Sequence, residues 1–435
     1  MREMKDSGVP WIGEIPKDWE TKQLKYCADP TQKNSFIDGD WIESPFIEET
    51  GIRYLTTGNI GDGYFKRQGN SHISLASFIE LDCKYAYPGD LVIARLNAPF
   101  GRSCILPNDN DCYVLAVDIV ILRTKEDNRF VCYVAQCDGY QKNVEDAARG
   151  TTMLRISRTN LGKIKIPLPS LTEQHRIADF LDAKSAEIDA ILEKTQASIE
   201  EYKKLKQSVI TEAVTKGIRG VRPMKDSGFE WIGEIPAEWE VKAIKYCFHV
   251  VSGGTPNTNV PEFWDEDIPW ITPADYKTED HYVTSGKRNL TIRGLESCNS
   301  ILVPKGSVVF SKRAPIGTVA ICNNELCTNQ GCLACIPKKE VHSEFYFFAF
   351  TAFKEVFELY GSGTTFKEIS ITSFVNFRVP VPPISEQQEI ATYLDEKCAA
   401  IDNLIASKEA LITELETYKK SLIYEYVTGK KEVPV

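Results

Sequence analysis

Residues 11–16 read Trp11-Ile12-Gly13-Glu14-Ile15-Pro16, and residues 231–236 read Trp231-Ile232-Gly233-Glu234-Ile235-Pro236. The match runs outward in both directions. Met4-Lys5-Asp6-Ser7-Gly8 precedes the first copy and Met224-Lys225-Asp226-Ser227-Gly228 the second. Trp19-Glu20 and Lys25-Tyr26-Cys27 follow the first, and Trp239-Glu240 and Lys245-Tyr246-Cys247 the second. The copies lie 220 residues apart. Self-similarity at this scale means a duplicated domain.

A second pair of blocks closes each half. Gly150-Thr151-Thr152, Ile156, Pro167-Leu168-Pro169 and Glu173-Gln174 match Gly363-Thr364-Thr365, Ile369, Pro380-Val381-Pro382 and Glu386-Gln387. Between the blocks only echoes survive. Ala98-Pro99-Phe100-Gly101 resembles Ala314-Pro315-Ile316-Gly317. A shared frame with divergent filling is what two copies reading different things would show. An ordinary duplication without a functional split is the plainer alternative.

After Pro169 no Pro or Gly appears until Gly217. Ser170 or Thr172 can cap a helix start there, with Glu173 in the first turn. Leu181, Ile188, Ile191, Ile199, Tyr202 and Leu205 recur at helical spacing. The stripe predicts a helix of about 65 Å at a rise of about 1.5 Å per residue. The second copy starts after Pro383, with Ser385 as cap and a stripe of Leu394, Ile401, Leu404, Ile412, Leu415 and Tyr418. Neither stripe is wide enough for deep burial, so each helix needs a partner, and the other helix is the obvious one. Lys184 and Lys397, and Thr195 and Lys408, take equivalent inward places, where polar groups set register or snorkel outward. Antiparallel pairing would make a rod with an approximate two-fold axis, the arrangement by which dimeric DNA readers meet two half-sites.

The expected fold is therefore α/β: two α/β recognition domains separated by two long antiparallel coiled-coil helices, related by a pseudo-two-fold internal repeat. The segments are 1–169, the helix 170–217, 218–382, the helix 383–430 and a tail 431–435. Helix signals inside the domains are modest, with Val341 to Tyr360 the best.

Composition bounds the function. Hydrophobic residues at 43% and charged residues at 26% are ordinary for a globular chain. No apolar run approaches the roughly 20 residues that span a bilayer, and the first residues lack the form of a signal peptide. A cytoplasmic protein with no membrane partner is expected. The net charge of −10 argues against a simple DNA-coating protein, though not against local basic patches on a chain that needs partners to hold DNA. The 13 cysteines read as small buried hydrophobes. Cys322, Cys327, Cys332 and Cys335 have a spacing that also admits zinc, but their apolar flanks favour buried strands and no metal site.

The order of variable segment, Pro-rich turn and long helix, given twice with Trp11-Ile12-Gly13-Glu14-Ile15-Pro16 and Glu173-Gln174 and their copies, resembles the specificity subunits of type I restriction-modification systems. The likeness covers nearly the whole chain. It implies two target recognition domains that each read half of a bipartite double-stranded DNA site, with helices that set the spacing. It further implies two methyltransferase subunits docked on those helices and two restriction subunits with ATP-driven translocase activity. This chain would then be non-catalytic. S-adenosylmethionine, ATP and Mg²⁺ would belong to partners, with no cofactor here. The sequence agrees: it has no Asn/Asp-Pro-Pro-Tyr/Phe methyltransferase motif and no Gly-x-x-x-x-Gly-Lys-Ser/Thr phosphate loop. A coiled-coil scaffold with two protein-binding end domains is the alternative.

Groove readout needs cations, amides and hydroxyls on loops. Arg95, Asn97 and Arg102 lie on one Pro/Gly loop, and Lys312 and Arg313 on its counterpart. Arg149, Thr151, Thr152 and Arg155 form a second candidate group, matched by Ser362, Thr364, Thr365 and Lys367. Thr57 and Asn59 form a third, opposite Thr272. Each set has a plainer reading as a surface turn or cap. The repeated tryptophans are read as core anchors.

Overall fold

The computed structural model describes residues 2–150, 154–362 and 367–434. They form two compact units: residues 1–195 with 410–435, and residues 196–409. Both long helices, Leu171–Lys216 and Ile384–Val427, are thus divided between the units.

The first unit opens with a hairpin, Met4–Asp6 on Glu14–Pro16. Glu20–Gln23 then pairs with Lys165–Leu168, so the start and end of the domain meet before the long helix. Between them lie two four-stranded sheets. One has the order Phe36–Asp38, Ile119–Leu122, Leu91–Ala94, Ser103–Ile105; the other is His72–Ile73, Ile52–Leu55, Tyr113–Leu115, Tyr85–Ala86. The strand Leu91–Ala94 is uninterruptedly apolar because both faces are covered. Leu91 and Ile93 meet helices Asn128–Ala135 and Asp138–Asp146, while Val92 and Ala94 meet the other sheet.

The second unit repeats the plan. Its hairpin is Met224–Asp226 on Glu234–Pro236, and Glu240–Ala243 pairs with Arg378–Val381. A five-stranded and a three-stranded sheet follow. Val308 and Phe310 face the helical layer, whereas Val309 faces the opposite side. The helical run expected over 341–360 is two helices, Ser343–Ala352 and Lys354–Tyr360, broken at Phe353.

Trp19 and Trp239 are fully buried anchors. Cys322 and Cys332 face one apolar cluster, Cys335 a second and Cys327 a third. Among the described residues no group of three or more His, Cys, Asp or Glu can hold a metal. Among them, too, no helix is long and apolar enough to cross a membrane.

Within each unit the two helix segments run antiparallel. In the first, Phe180 packs on Tyr426, and Lys419 reaches Asp189 at 2.6 Å. In the second, Tyr202 meets Lys408, and Lys206 reaches Asp402 at 2.7 Å. The seam differs from the expected stripe. Leu181, Ile188, Ile199, Leu394 and Ile401 are buried, and Tyr202, Ile412 and Leu415 partly so. Ile191, Leu205, Leu404 and Tyr418 are exposed. The inward positions are their neighbours Leu192, Lys206, Ile405 and Lys419, which keep an unbroken alternation of three and four residues. Lys184 and Lys397 are likewise exposed, while Thr195 is buried. Apolar character misleads here because long lysines fill seam places with their aliphatic stems.

The helix starts are built alike, though the second is not capped by Ser385. The Ser170 carbonyl accepts the amides of Glu173 and Gln174, and the Pro383 carbonyl those of Glu386 and Gln387; the Ser170 hydroxyl also accepts the Glu173 amide at 3.4 Å, a contact that Pro383 cannot supply. The Glu173 carboxylate takes the Trp19 indole N–H at 3.0 Å and pairs with Arg2. Glu386 takes the Trp239 indole N–H at 3.0 Å and pairs with Arg222 at 2.6 Å. Gln174 and Gln387 accept the amides of Asp127 and His342 and donate to the Pro169 and Pro382 carbonyls.

Candidate nucleic-acid interface

In the first unit the three candidate groups converge. The loop after Leu91–Ala94 exposes Asn97, Ala98 and Pro99 at its tip. Asn97 has φ +61°, a left-handed conformation that asparagine tolerates. Arg102 lies beneath the tip. Its guanidinium donates to the carbonyls of Ile60, Leu96, Asn97, Pro99 and Thr57. It therefore clamps the Thr57 loop to the Asn97 loop.

Arg95 donates to the carbonyls of Ile156 and Val117 at 3.0 and 2.6 Å and lies 3.1 Å from Asp38. Both arginines are buried, at 4% and 8% exposure. Burial pulls both guanidinium pKa values down, with Asp38 opposing at Arg95 and Asp62 at Arg102. Their placement corrects the expectation of two surface cations on this loop: each is consumed by carbonyl oxygens that would otherwise be orphaned.

Asn59 is also interior. Its Oδ1 accepts the Thr56 amide at 3.0 Å, and its Nδ2 donates to the carbonyls of Lys66 and Gln68. In the second unit Asp275 accepts the Thr272 amide and hydroxyl at 2.8 and 2.7 Å. Thr56–Asn59 and Thr272–Asp275 are one turn, closed by an amide in one copy and a carboxylate in the other. Thr272 is used up in closing it.

Arg149 and Arg155 exchange both backbone hydrogen bonds at 2.9 Å, and Arg155 bridges to Leu96. Both side chains are exposed at the surface, with Arg155 reaching Asp118 at 2.5 Å. The second unit reproduces this backbone: Ser362 exchanges with Glu368, and Glu368 bridges to Arg313. Position by position, Glu368 stands where Arg155 stands and Arg313 where Leu96 stands. Lys312 and Arg313 hold the Glu368 carboxylate at 2.8 and 2.9 Å. Burial pushes that carboxyl up, and the two cations more than reverse it, leaving its pKa lowered. Lys367 and Ser362 are exposed. Thr151, Thr152, Thr364 and Thr365 lie outside the described residues.

One backbone scaffold thus presents unlike side chains at matched loop places in two units. The sequence profile of the type I restriction modification DNA specificity domain matches residues 16–201 and again 236–417. The chain belongs to this family and carries its domain twice. The MjaIX specificity subunit of Methanocaldococcus jannaschii is 40% identical over 181 residues, 41% of each chain. The chain thus spans less than half the length of that relative. The putative MjaX specificity subunit of the same organism is 27% identical over 97% of this chain and 96% of its own. Two solved structures share the fold. A chain of a type I R-M system matches with a TM-score of 0.74 at 17% identity, covering 96% of this chain and 99% of its own. The HsdS subunit from Thermoanaerobacter tengcongensis matches at 0.57 and 16% identity, over 96% and 98%.

Proposed function

We propose that this chain reads the DNA target for a type I restriction-modification assembly and does no chemistry itself. Each recognition domain reads one half of a bipartite, asymmetric double-stranded site. The long helices fix the spacing and dock two methyltransferase subunits, and two restriction subunits join that core. S-adenosylmethionine, ATP and Mg²⁺ act on those partners.

What supports the reading above all is the exchange of Arg155, exposed and paired with Asp118, for Glu368, half-buried and paired with Lys312 and Arg313, on matched backbone. One frame with unlike side chains at matched loop places is what two readers of unlike half-sites need. Asn97, Arg149 and Arg155 are the first unit's candidates for contact with DNA, and Arg313, Ser362 and Lys367 the second's. Thr151, Thr152, Thr364 and Thr365 remain candidates for backbone contact. Arg95, Arg102, Asn59, Thr57 and Thr272 hold the loops in place.

The test is to map modified adenines in host DNA, then replace residues 28–148 with the corresponding segment of another member. The expected result is a two-part motif in which one half alone changes. A motif that changes in both halves, or none at all, refutes the reading. A scaffold would leave DNA selectivity untouched.

A further inference from the structure

The internal repeat supplies a test for surface residues. A position kept in both copies and exposed in both is not explained by packing. Lys25-Tyr26 and Lys245-Tyr246 meet that test, with Tyr26 and Tyr246 both 61% exposed. Each lysine lies over its neighbouring tyrosine ring, at 4.7 and 5.4 Å.

In each unit a second lysine reaches the same place from far along the chain, and Lys338 Nζ donates to the Lys245 carbonyl at 2.7 Å. The Lys125 amide donates to the Cys27 carbonyl, and the Lys338 amide to the Cys247 carbonyl. Both of these side chains are exposed. Lys22 and Lys242 complete the sets, each already paired with a glutamate. On a chain of net charge −10, each unit thus gathers lysines and a tyrosine at one matched place, with Glu126 and Asp29 beside the first set and Glu240 and Glu340 beside the second.

The clusters also adjoin the candidate interfaces. Lys25 donates its amide to Gly162, which ends the short helix Arg158–Leu161, and Arg158 lies 3.7 Å from Asp38, the partner of Arg95. In the second unit Lys245 Nζ donates to Asn376, the last residue of helix Ile371–Asn376, which follows the Glu368 arm.

We propose that Lys25, Tyr26 and Lys125 in one unit, and Lys245, Tyr246 and Lys338 in the other, grip the sugar-phosphate backbone of duplex DNA. The inference rests on the reading that the chain binds DNA. Ammonium groups meet phosphates and the tyrosine hydroxyls donate to them. The identity of the two sets follows from the partner: phosphates are alike at both half-sites, whereas bases are not. These side chains position the domain and carry no sequence preference.

The experiment uses the whole subunit assembled with its methyltransferase. It compares wild type, Lys25→Gln/Lys125→Gln and Lys245→Gln/Lys338→Gln on a duplex carrying the mapped motif and on a shuffled duplex, across a salt titration. Each double variant is expected to weaken both duplexes alike, by roughly 30-fold at 0.15 M salt, and to lower the slope of log K against log salt by about two. Unchanged thermal midpoints check that the exposed changes leave the fold intact. Unchanged affinity and slope overturn the proposal, as does a loss confined to the motif duplex. So does loss of methyltransferase co-purification with DNA affinity of the remaining complex intact, which assigns the surface to a protein. Wild type that binds both duplexes equally would sink the DNA-reading function instead, and the salt slopes would still report on these lysines.

Discussion

The Trp239 indole N–H donates a 3.0 Å hydrogen bond to the fully buried carboxylate of Glu386, which Arg222 meets from the other side. One bond thus ties the domain's opening to the first turn of the long helix. Trp19 and Glu173 do the same in the other unit.

Breaking that joint should be costly. Glu386→Ala takes the buried partner from Arg222, which keeps Glu238 at 3.0 Å and the Lys216 carbonyl, and leaves the Trp239 N–H unpaired; it is expected to destabilise the chain by about 2–3 kcal/mol. Trp239→Phe keeps most of the ring and loses the N–H, for about 1–3 kcal/mol. Urea unfolding of the purified chain measures both. Equal, negligible losses would show the joint to be ornamental.

Arg102 and Asn97 separate holding from reading. Arg102→Ala strands up to five carbonyls and is expected to lower stability by about 2–4 kcal/mol. Asn97→Gly removes an exposed carboxamide from a residue at φ +61°, where glycine sits without strain. Its stability should stay within about 0.5 kcal/mol of wild type. Its methylation motif should relax in one half only, as read by sequencing modified DNA.

Spacing is tested by whole heptads. Seven residues inserted after both Ala197 and Lys408 keep the seam in phase and add about 10 Å of helix. The gap between the half-sites should grow by about three base pairs, at about 3.4 Å each, with both halves still recognised. A gap that does not move in a methylation assay shows that the helices do not set it.

Acidity should act on one copy more than the other. Asp182 accepts from Tyr133 and Arg129 at 2.7 and 2.8 Å. At the matching helical places the second copy carries Phe348 and Glu344, and its aspartate is Asp395. Burial, with Glu344 beside it, pushes the Asp395 pKa up to about 6. The folded state therefore holds this proton more tightly than the unfolded chain. Its contribution to stability is complete below the ordinary aspartate value and disappears as pH rises through about 6. Asp395→Asn should raise the thermal midpoint at pH 7 and lose that advantage toward pH 4.5. The gain is on the order of 1 kcal/mol or less, because the side chain is 43% exposed and solvent screens it. A constant gain across pH would count against the ionisation.

The duplication, the helix limits and the burial of Trp19 and Trp239 could be read from residues, because each repeats or follows a period; Trp11 and Trp231, read the same way, are only half-buried at the edge of the core. The seam could not be placed to the residue. Ile191, Leu205, Leu404 and Tyr418 are apolar and helically spaced, yet Lys206 and Lys419 take the inward places, and only a partner's surface decides between neighbours. The loop arginines were visible as cations but not as buried ones. Arg95 and Arg102 face inward because carbonyls from Thr57, Val117 and Ile156 gather around them, a meeting of distant segments that local pattern does not encode. The pairing of Asn59 with Asp275 carried a faint signal, Thr-x-x-Asn against Thr-x-x-Asp, which is the spacing of a side chain closing its own turn.

The Glu–Trp joint separates two kinds of change. Its members, Arg2, Trp19 and Glu173 and their counterparts, lie in the repeated blocks and outside the segments between them. Selection on those segments can therefore run without disturbing the attachment to the helix. New preferences are free to arise by wholesale exchange of a lobe's interior, at little risk to assembly.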